Sequence, residues 1–218
     1  MTDEGASQPA IRAPWPVVVL IAVLIGAHAA RLWLGIDPER FALVAGDLGS
    51  GRWSPLISHI FVHAGWAHVL MNSVFILAFG APVARFLGVG AVGALAFAAF
   101  FLICGVVAGS GFAAVAAEFA NMGLASPDWA LVGASGAASG LMGAAARLIE
   151  GRGRLGPIGG RTVIGMSVSW ILVNVVLGAT GLTPGTAGAP VAWQAHIIGY
   201  FAGLLLISPF SRLARSTP

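Results

Sequence analysis

LVGASGAASGLMGAAARLI, at residues 131–149, is an apolar run in which small side chains predominate. Its one charged residue is Arg147, close to the end of the run. About 20 apolar residues in a helix cross the hydrocarbon core of a bilayer, and backbone polar groups in lipid must be paired within the segment. The run therefore predicts a membrane-spanning helix whose small side chains let neighbouring helices approach closely.

The composition of the whole chain supports a membrane protein. Of its 218 residues, 58% are hydrophobic and only 9% are charged, whereas a soluble domain has about 25% charged residues. This composition excludes a soluble globular domain, a disordered chain and a nucleic-acid-binding protein. Cys104 is the single cysteine, so the chain can form no intrachain disulfide, and a thiolate metal cluster is not expected.

Five further stretches have the length and composition of membrane spans: Pro14–Leu34, Trp66–Phe86, Val89–Gly109, Thr162–Gly181 and Val191–Phe210. Together with Leu131–Ile149, they predict an all-α polytopic membrane protein, a bundle of six transmembrane helices. We expect the membrane domain to cover residues 14–210. Short tails, residues 1–13 and 211–218, would flank it on the cytoplasmic side.

The arginines predict the orientation of the bundle. An even number of spans places both termini on one side, and cytoplasmic connections are enriched in basic residues. With both termini in the cytoplasm, that side holds Arg12, Arg85, Arg147, Arg152, Arg154, Arg161, Arg212 and Arg215. The opposite side holds Arg31, Arg40 and Arg52. Because arginine is used to the exclusion of lysine, we expect a GC-rich bacterial genome and an inner-membrane location.

Two connections are not simple turns. The first, Gly35–Gly65, contains two apolar segments, Phe41–Ala45 and Pro55–Val62, with the composition to lie in the outer leaflet. Phe112–Trp129 is the second long outer connection. Leu182–Pro190, rich in Gly and Pro, is expected to form a lid on the outer side.

Polar side chains at membrane depth are costly and are functional candidates. They occur near the outer ends of three predicted helices: His68 and Asn72 in the second, Ser135 in the fourth, and Gln194 and His196 in the sixth. At about 1.5 Å of rise per residue, they lie within roughly 10 Å of the outer helix ends. Three separate helices therefore place polar groups at one depth, which predicts one shared site.

These side chains have the chemistry of a serine hydrolase. Ser135 supplies a hydroxyl nucleophile, and a neutral histidine can accept its proton and return it to a leaving amine. An asparagine and a second histidine can donate hydrogen bonds to a developing oxyanion. Because the predicted spans contain no Asp or Glu, the pattern predicts a Ser–His dyad held by helix packing.

Three motifs carry a resemblance to a known family. They are Gly133-Ala134-Ser135-Gly136 with Leu141-Met142-Gly143, then His63, His68 and Asn72 spaced as H-x-x-x-x-H-x-x-x-N, and Ala195-His196-Ile197-Ile198-Gly199 with Gly203. In order, spacing and placement on the spans, they resemble the GxSG, second-helix and AHxxGxxxG motifs of rhomboid intramembrane serine proteases. The resemblance extends over roughly Arg52–Gly203.

The resemblance implies a role for each site residue. Ser135 would be the nucleophile and His196 the general base, while His68 and Asn72, with the Ser135 amide, would form the oxyanion hole. It implies an intramembrane serine endopeptidase without a cofactor or metal, whose partners are transmembrane protein substrates and the lipid bilayer. Gly35–Gly65 would correspond to the family's partly submerged first loop.

Several polar or aromatic residues have more ordinary interpretations. Ser139 stands four residues after the nucleophile, where better-known rhomboids carry an aromatic side chain packed on the catalytic histidine. It is also a rival nucleophile, which we interpret as a packing residue. Ser167 and Asn174 are interpreted as interhelical hydrogen-bonding residues, and Trp170 as packing between helices. Ser135 itself, taken alone, could be a small packing residue that bonds back to the helix backbone.

Two other functional classes stay open. The first is a membrane zinc hydrolase that uses His59, His63, His68 and His196. Against it, the spans lack a carboxylate partner and an H-E-x-x-H motif. An inactive rhomboid-like protein that binds transmembrane helices is the second alternative. The intact serine, histidine and asparagine count against it.

Overall fold

The computed structural model of the chain describes residues 13–124, 126, 128–181 and 191–215. The predicted lid, Leu182–Pro190, lies outside these described residues. Within them the chain is predominantly helical, as the sequence predicts.

Five helical runs of the described chain are long and apolar enough to cross a membrane. These are α1, Trp15–Trp33; a run of α3, Trp66–Phe75, a π-helical turn, Ile76–Gly80, and α4, Ala81–Leu87; α5, Ala91–Asn121; α7, Arg161–Thr180; and α8, Trp193–Arg215. Two shorter α-helices also occur in the described part of the chain, α2, Pro55–Ser58, and α6, Ser135–Glu150. The fold class is therefore confirmed as a helical membrane bundle.

The fourth predicted span, Leu131–Ile149, is shorter than expected. α6 has 16 residues, which is about 24 Å of helix against a hydrocarbon core of about 30 Å. Its first residues therefore cannot reach one membrane surface if its last residues reach the other. The helix begins with Ser135, so that residue would lie below one membrane surface if the other end of α6 reached the opposite surface.

The predicted connection Phe112–Trp129 is wrong over its first half, because α5 continues to Asn121. The prediction ended the helix among the glycines near Gly109, but those glycines serve close packing. A Cβ at Gly109 would lie 2.8 Å from the His59 ring. The turns of α5 beyond Gly109 remain helical because Phe112 and Ala116, on one face of the helix, are buried against the rest of the protein.

The prediction that the fourth helix begins at Leu131 is also wrong. Leu131 lies in a short strand, β2, Ala130–Leu131, which pairs antiparallel with β1, Leu43–Val44. Gly133 then adopts a φ of +110°, a conformation that L side chains rarely take, and the helix follows. The two strands fix the first loop beside the start of α6.

Buried polar contacts hold the first loop together. The Asp47 carboxylate accepts a hydrogen bond from the Val44 amide at 2.8 Å and pairs with Arg52 at 3.0 Å. The His59 ring donates from Nδ1 to the Pro55 carbonyl at 2.7 Å, and the His59 carbonyl accepts from the Gly133 amide at 2.9 Å. The loop is thereby tied to the segment that precedes α6.

Acid is expected to destabilise this loop. Burial lowers the pKa of His59 from its ordinary value of 6.5 to about 4. Between those values the unfolded chain binds a proton that the folded loop excludes, so stability falls as the pH drops below 6.5. At pH 5 the titration of His59 lowers the free energy of unfolding by about 2 kcal/mol. The measurement is thermal unfolding in detergent at pH 7.5 and at pH 5. His59→Asn cannot titrate and should show a shallower dependence, whereas an unchanged dependence would contradict the assignment.

Small residues bring α6 and α8 into contact, as the sequence pattern predicts. A Cβ at Gly199 would overlap the Gly136 carbonyl, and one at Gly203 would overlap the Gly140 carbonyl. A Cβ at Gly143 would likewise overlap the Tyr200 carbonyl. The two backbones therefore touch over two turns, at a separation that side chains would prevent.

Candidate active site

Ser135 lies at the amino end of α6 because the chain is not helical before it. Gly133 has a left-handed backbone and Ala134 lies outside the helix. The first amides of a helix have no partner within it and carry a partial positive charge. The Ser135 hydroxyl and amide are therefore next to a group of backbone donors.

His196 reaches Ser135 from the first turn of α8. Its Nε2 lies 2.8 Å from the Ser135 Oγ. The contact depends on the small residues beneath it, since a Cβ at Gly199 of α8 would overlap the Gly136 carbonyl of α6. The two residues that the sequence predicts as nucleophile and base are thus within hydrogen-bonding distance.

A third side chain contacts the same histidine from α7. The Asn174 Oδ1 lies 2.7 Å from the His196 Nδ1, and the Asn174 Nδ2 donates to the Trp170 carbonyl at 2.9 Å. The Trp170 ring lies 6.1 Å from the imidazole, centroid to centroid, with 35° between the planes. Sequence reasoning placed Asn174 and Trp170 at helix contacts but missed their link to His196. The four-residue spacing of Trp170 and Asn174, which places both on one face of a helix, was the available signal.

His68 and Asn72 approach the site from α3. A Cβ on Gly133 would lie 2.7 Å from the His68 ring and 3.6 Å from the Asn72 Nδ2. Asn72 is buried, and its Nδ2 has no hydrogen-bond partner among the residues that the structure describes. An amide donor in this position is available to a bound oxygen atom.

These side chains line one cavity of about 240 Å³. Its polar lining consists of His68, Asn72, Ser135, Ser139, Asn174 and His196. Apolar side chains, including Phe75 of α3 and Trp170 of α7, complete the walls. The cavity therefore brings a group of polar side chains together within a lining that is mostly apolar.

Gln194 does not take part, contrary to the sequence-based grouping. Its side chain is buried, does not line the cavity, and finds no hydrogen-bond partner in the described part of the chain. His196 lies two positions after Gln194, and a helix turns by roughly 200° over two residues. The two side chains therefore point to different sides of α8.

Comparison with known proteins shows the family of the chain. Residues 50–213 match the family model described as "Rhomboid domain", a segment that contains all three motifs. The chain belongs to the rhomboid family. A curated relative from Bacillus subtilis (strain 168), named "Putative rhomboid protease YdcA", is 30% identical over 203 residues, covering 88% of this chain and 87% of the relative.

This rhomboid protein holds its histidine differently from the family pattern. Ser139, at the position of the usual aromatic residue, donates its hydroxyl to the Ser135 carbonyl at 2.8 Å. That bond turns it back onto its own helix. The ring beside His196 is Trp170 of α7 instead.

His59 and His63 make contacts around the site and do not line the cavity. The His63 Nε2 lies 3.4 Å from the Ala134 amide, and the His63 ring meets the His68 ring edge-on at 5.2 Å. The His59 Nδ1 is bonded to a backbone carbonyl. No group of three or more His, Cys, Asp or Glu that could hold a metal ion occurs among the described residues, so the geometry gives the zinc alternative no support.

Proposed function

We propose that this rhomboid protein is an intramembrane serine endopeptidase that cleaves transmembrane or juxtamembrane segments of membrane proteins. The observation that carries the proposal is the 2.8 Å contact between the Ser135 Oγ and the His196 Nε2, at the amino end of a short helix. A hydroxyl in contact with a neutral imidazole is an activated nucleophile. Family membership supports the same activity.

The mechanism uses four side chains. The Ser135 Oγ attacks the scissile carbonyl while the His196 Nε2 takes the hydroxyl proton. The resulting oxyanion is held by Asn72, His68 and the Ser135 amide. Collapse breaks the C–N bond, and His196 passes its proton to the leaving amine. Water, deprotonated by His196, then attacks the acyl carbonyl. Collapse breaks the ester bond to the Ser135 Oγ, the new carboxyl end leaves, and His196 returns its proton to the serine.

The depth of the site predicts the class of substrate. A peptide bond within a helix has its carbonyl hydrogen-bonded, so a substrate helix must unwind locally before Ser135 can attack. Segments with weak helix propensity and small residues at the scissile bond are therefore preferred. The distribution of arginine favours cytoplasmic termini, so the site would open to the outer face of a bacterial inner membrane.

Asn72→Ala is expected to slow cleavage by roughly 10²–10³-fold. The substitution removes the unpartnered Nδ2 that we assign to the oxyanion, but leaves Ser135 and His196 in place. The measurement is kcat on a single-span substrate in liposomes. Ser73→Ala is the matched control, since the buried Ser73 hydroxyl only bonds back to the Val69 carbonyl. Equal rates for the Asn72 variant and the wild type would remove Asn72 from the mechanism.

A panel of single-span substrates in liposomes tests the function itself. The proposal expects cleavage of at least the helix-weak members and indifference to metal chelators. Loss of activity on chelation would favour the zinc hydrolase. Binding of substrates without cleavage and without fluorophosphonate labelling would favour the inactive relative.

A further inference from the structure

Asn174 is a buried polar residue that the mechanism above does not use. Of the 20 residues of α7, only Val163 and Asn174 are buried, and Asn174 is fully so. A buried amide is costly unless its hydrogen bonds are made. Its partners are the His196 ring and the Trp170 carbonyl, as described above.

We propose that Asn174 is a positioning residue for His196, so that the site works as a Ser135–His196–Asn174 triad and not as a dyad. The inference rests on the proposed function, because it assigns a role to the histidine that activates Ser135. The sequence offered no carboxylate for this role and left His196 to be held by packing alone. A neutral amide from a third helix takes that role.

The orientation of the Asn174 amide follows from its other partner. The Trp170 carbonyl oxygen can only accept a hydrogen bond, so the group facing it is the Nδ2 donor, at 2.9 Å. The Oδ1 therefore faces the His196 Nδ1, at 2.7 Å. Because an amide oxygen can only accept, the Nδ1 of His196 carries the proton in this arrangement.

That proton determines what the opposite nitrogen can do. A neutral imidazole with its proton on Nδ1 has a free lone pair on Nε2, which is the atom 2.8 Å from the Ser135 Oγ. The other tautomer would direct an N–H at the hydroxyl and could not take its proton. Asn174 therefore selects the tautomer that lets His196 act as a base.

The same α7 face restrains the ring itself. Trp170 lies beside the imidazole, and its Nε1 donates to the His196 carbonyl at 3.4 Å. Ser139 leaves the usual aromatic position without a ring. Trp170 and Asn174, one turn apart on α7, together replace that packing with a ring contact and a hydrogen bond.

The test compares two substitutions of Asn174. Asn174→Leu removes the acceptor at similar volume and should lower kcat by about 10–100-fold with KM changed less than about threefold. The rate of fluorophosphonate labelling at Ser135 should fall in parallel. Asn174→Asp keeps an oxygen acceptor facing Nδ1 and should recover most of both rates. If the leucine variant does not fold, Asn174→Ala, which also lacks the acceptor, takes its place.

Ser167→Ala is the matched control. Ser167 lies on the same helix and contacts the Tyr200 hydroxyl of α8 at 3.2 Å, so its loss removes an α7–α8 hydrogen bond that does not touch His196. It should leave kcat within about twofold of the wild type. Equal losses in Ser167→Ala and Asn174→Leu, or an aspartate variant as slow as the leucine variant, would overturn the positioning role.

Ser135→Ala, assayed alongside, separates this inference from the function on which it rests. Cleavage that persists in Ser135→Ala overturns both. Cleavage that is lost in Ser135→Ala but kept at the wild-type kcat in Asn174→Leu overturns the triad alone.

Discussion

Ser135→Ala is expected to lower kcat for cleavage by about 10⁴-fold or more, with no loss of folded protein. The substitution removes the one oxygen that lies 2.8 Å from the His196 Nε2, and with it the covalent step. The alanine side chain fits, because it is the serine side chain without its hydroxyl oxygen. The rate should be measured on a single-span substrate in liposomes, and folding by thermal unfolding.

Ser139→Ala is the control for that experiment. Ser139 lies one turn deeper on the same helix and also lines the cavity, but its hydroxyl is bonded to the Ser135 carbonyl. We expect it to keep activity within about threefold of the wild type. A Ser139 variant as inactive as Ser135→Ala, or a Ser135 variant with normal activity, would contradict the assignment of the nucleophile.

Gly203→Val is expected to prevent the bundle from assembling, at a cost of more than about 3 kcal/mol. A side chain at this position would overlap the backbone of Gly140, and a backbone atom cannot rotate away as the end of a flexible side chain can. α6 and α8 would separate, and with them Ser135 and His196. The measurement is the yield of monodisperse protein in detergent together with its midpoint of thermal unfolding.

Gly165→Val provides the matched control for the helix contact. Gly165 lies on the exposed face of α7, and nothing lies within 4 Å of the Cβ that a substitution would add. The two variants carry the same change of residue, so helix propensity and hydrophobicity affect both alike. Similar yields and midpoints for Gly203→Val and Gly165→Val would show that the α6–α8 contact is looser than the structure has it.

The sequence predicted the parts of the site that depend on depth along a helix. Ser135, His68, Asn72 and His196 were grouped because each lies within two turns of an outer helix end, and the structure places all four on one cavity. The position of a residue along a helix does not determine which way its side chain points around the helix axis. Gln194 was grouped by its position along the helix, but its side chain points away from the cavity. Asn174 was missed because it lies on α7, whose other residues gave no indication of a site.

The ends of a helix were predictable where the length of an apolar stretch determines them, and not where tertiary contacts do. The ends of α1 and α7 agree with the apolar stretches to within one residue. The continuation of α5 past Gly109 depends on the packing of Phe112 and Ala116 in a cluster that includes Leu43, and the late start of α6 depends on pairing between β1 and β2. Neither partner is adjacent in sequence, so no local pattern could have indicated it.

Mapping the adduct of a fluorophosphonate tests most directly whether His196 activates the Ser135 hydroxyl. Labelled protein would be digested and the modified residue identified by mass spectrometry, in the wild type, Ser135→Ala and His196→Ala. We predict an adduct on Ser135 in the wild type and none in either variant. An adduct on Ser139, or labelling of Ser135 at an undiminished rate in His196→Ala, would contradict the account.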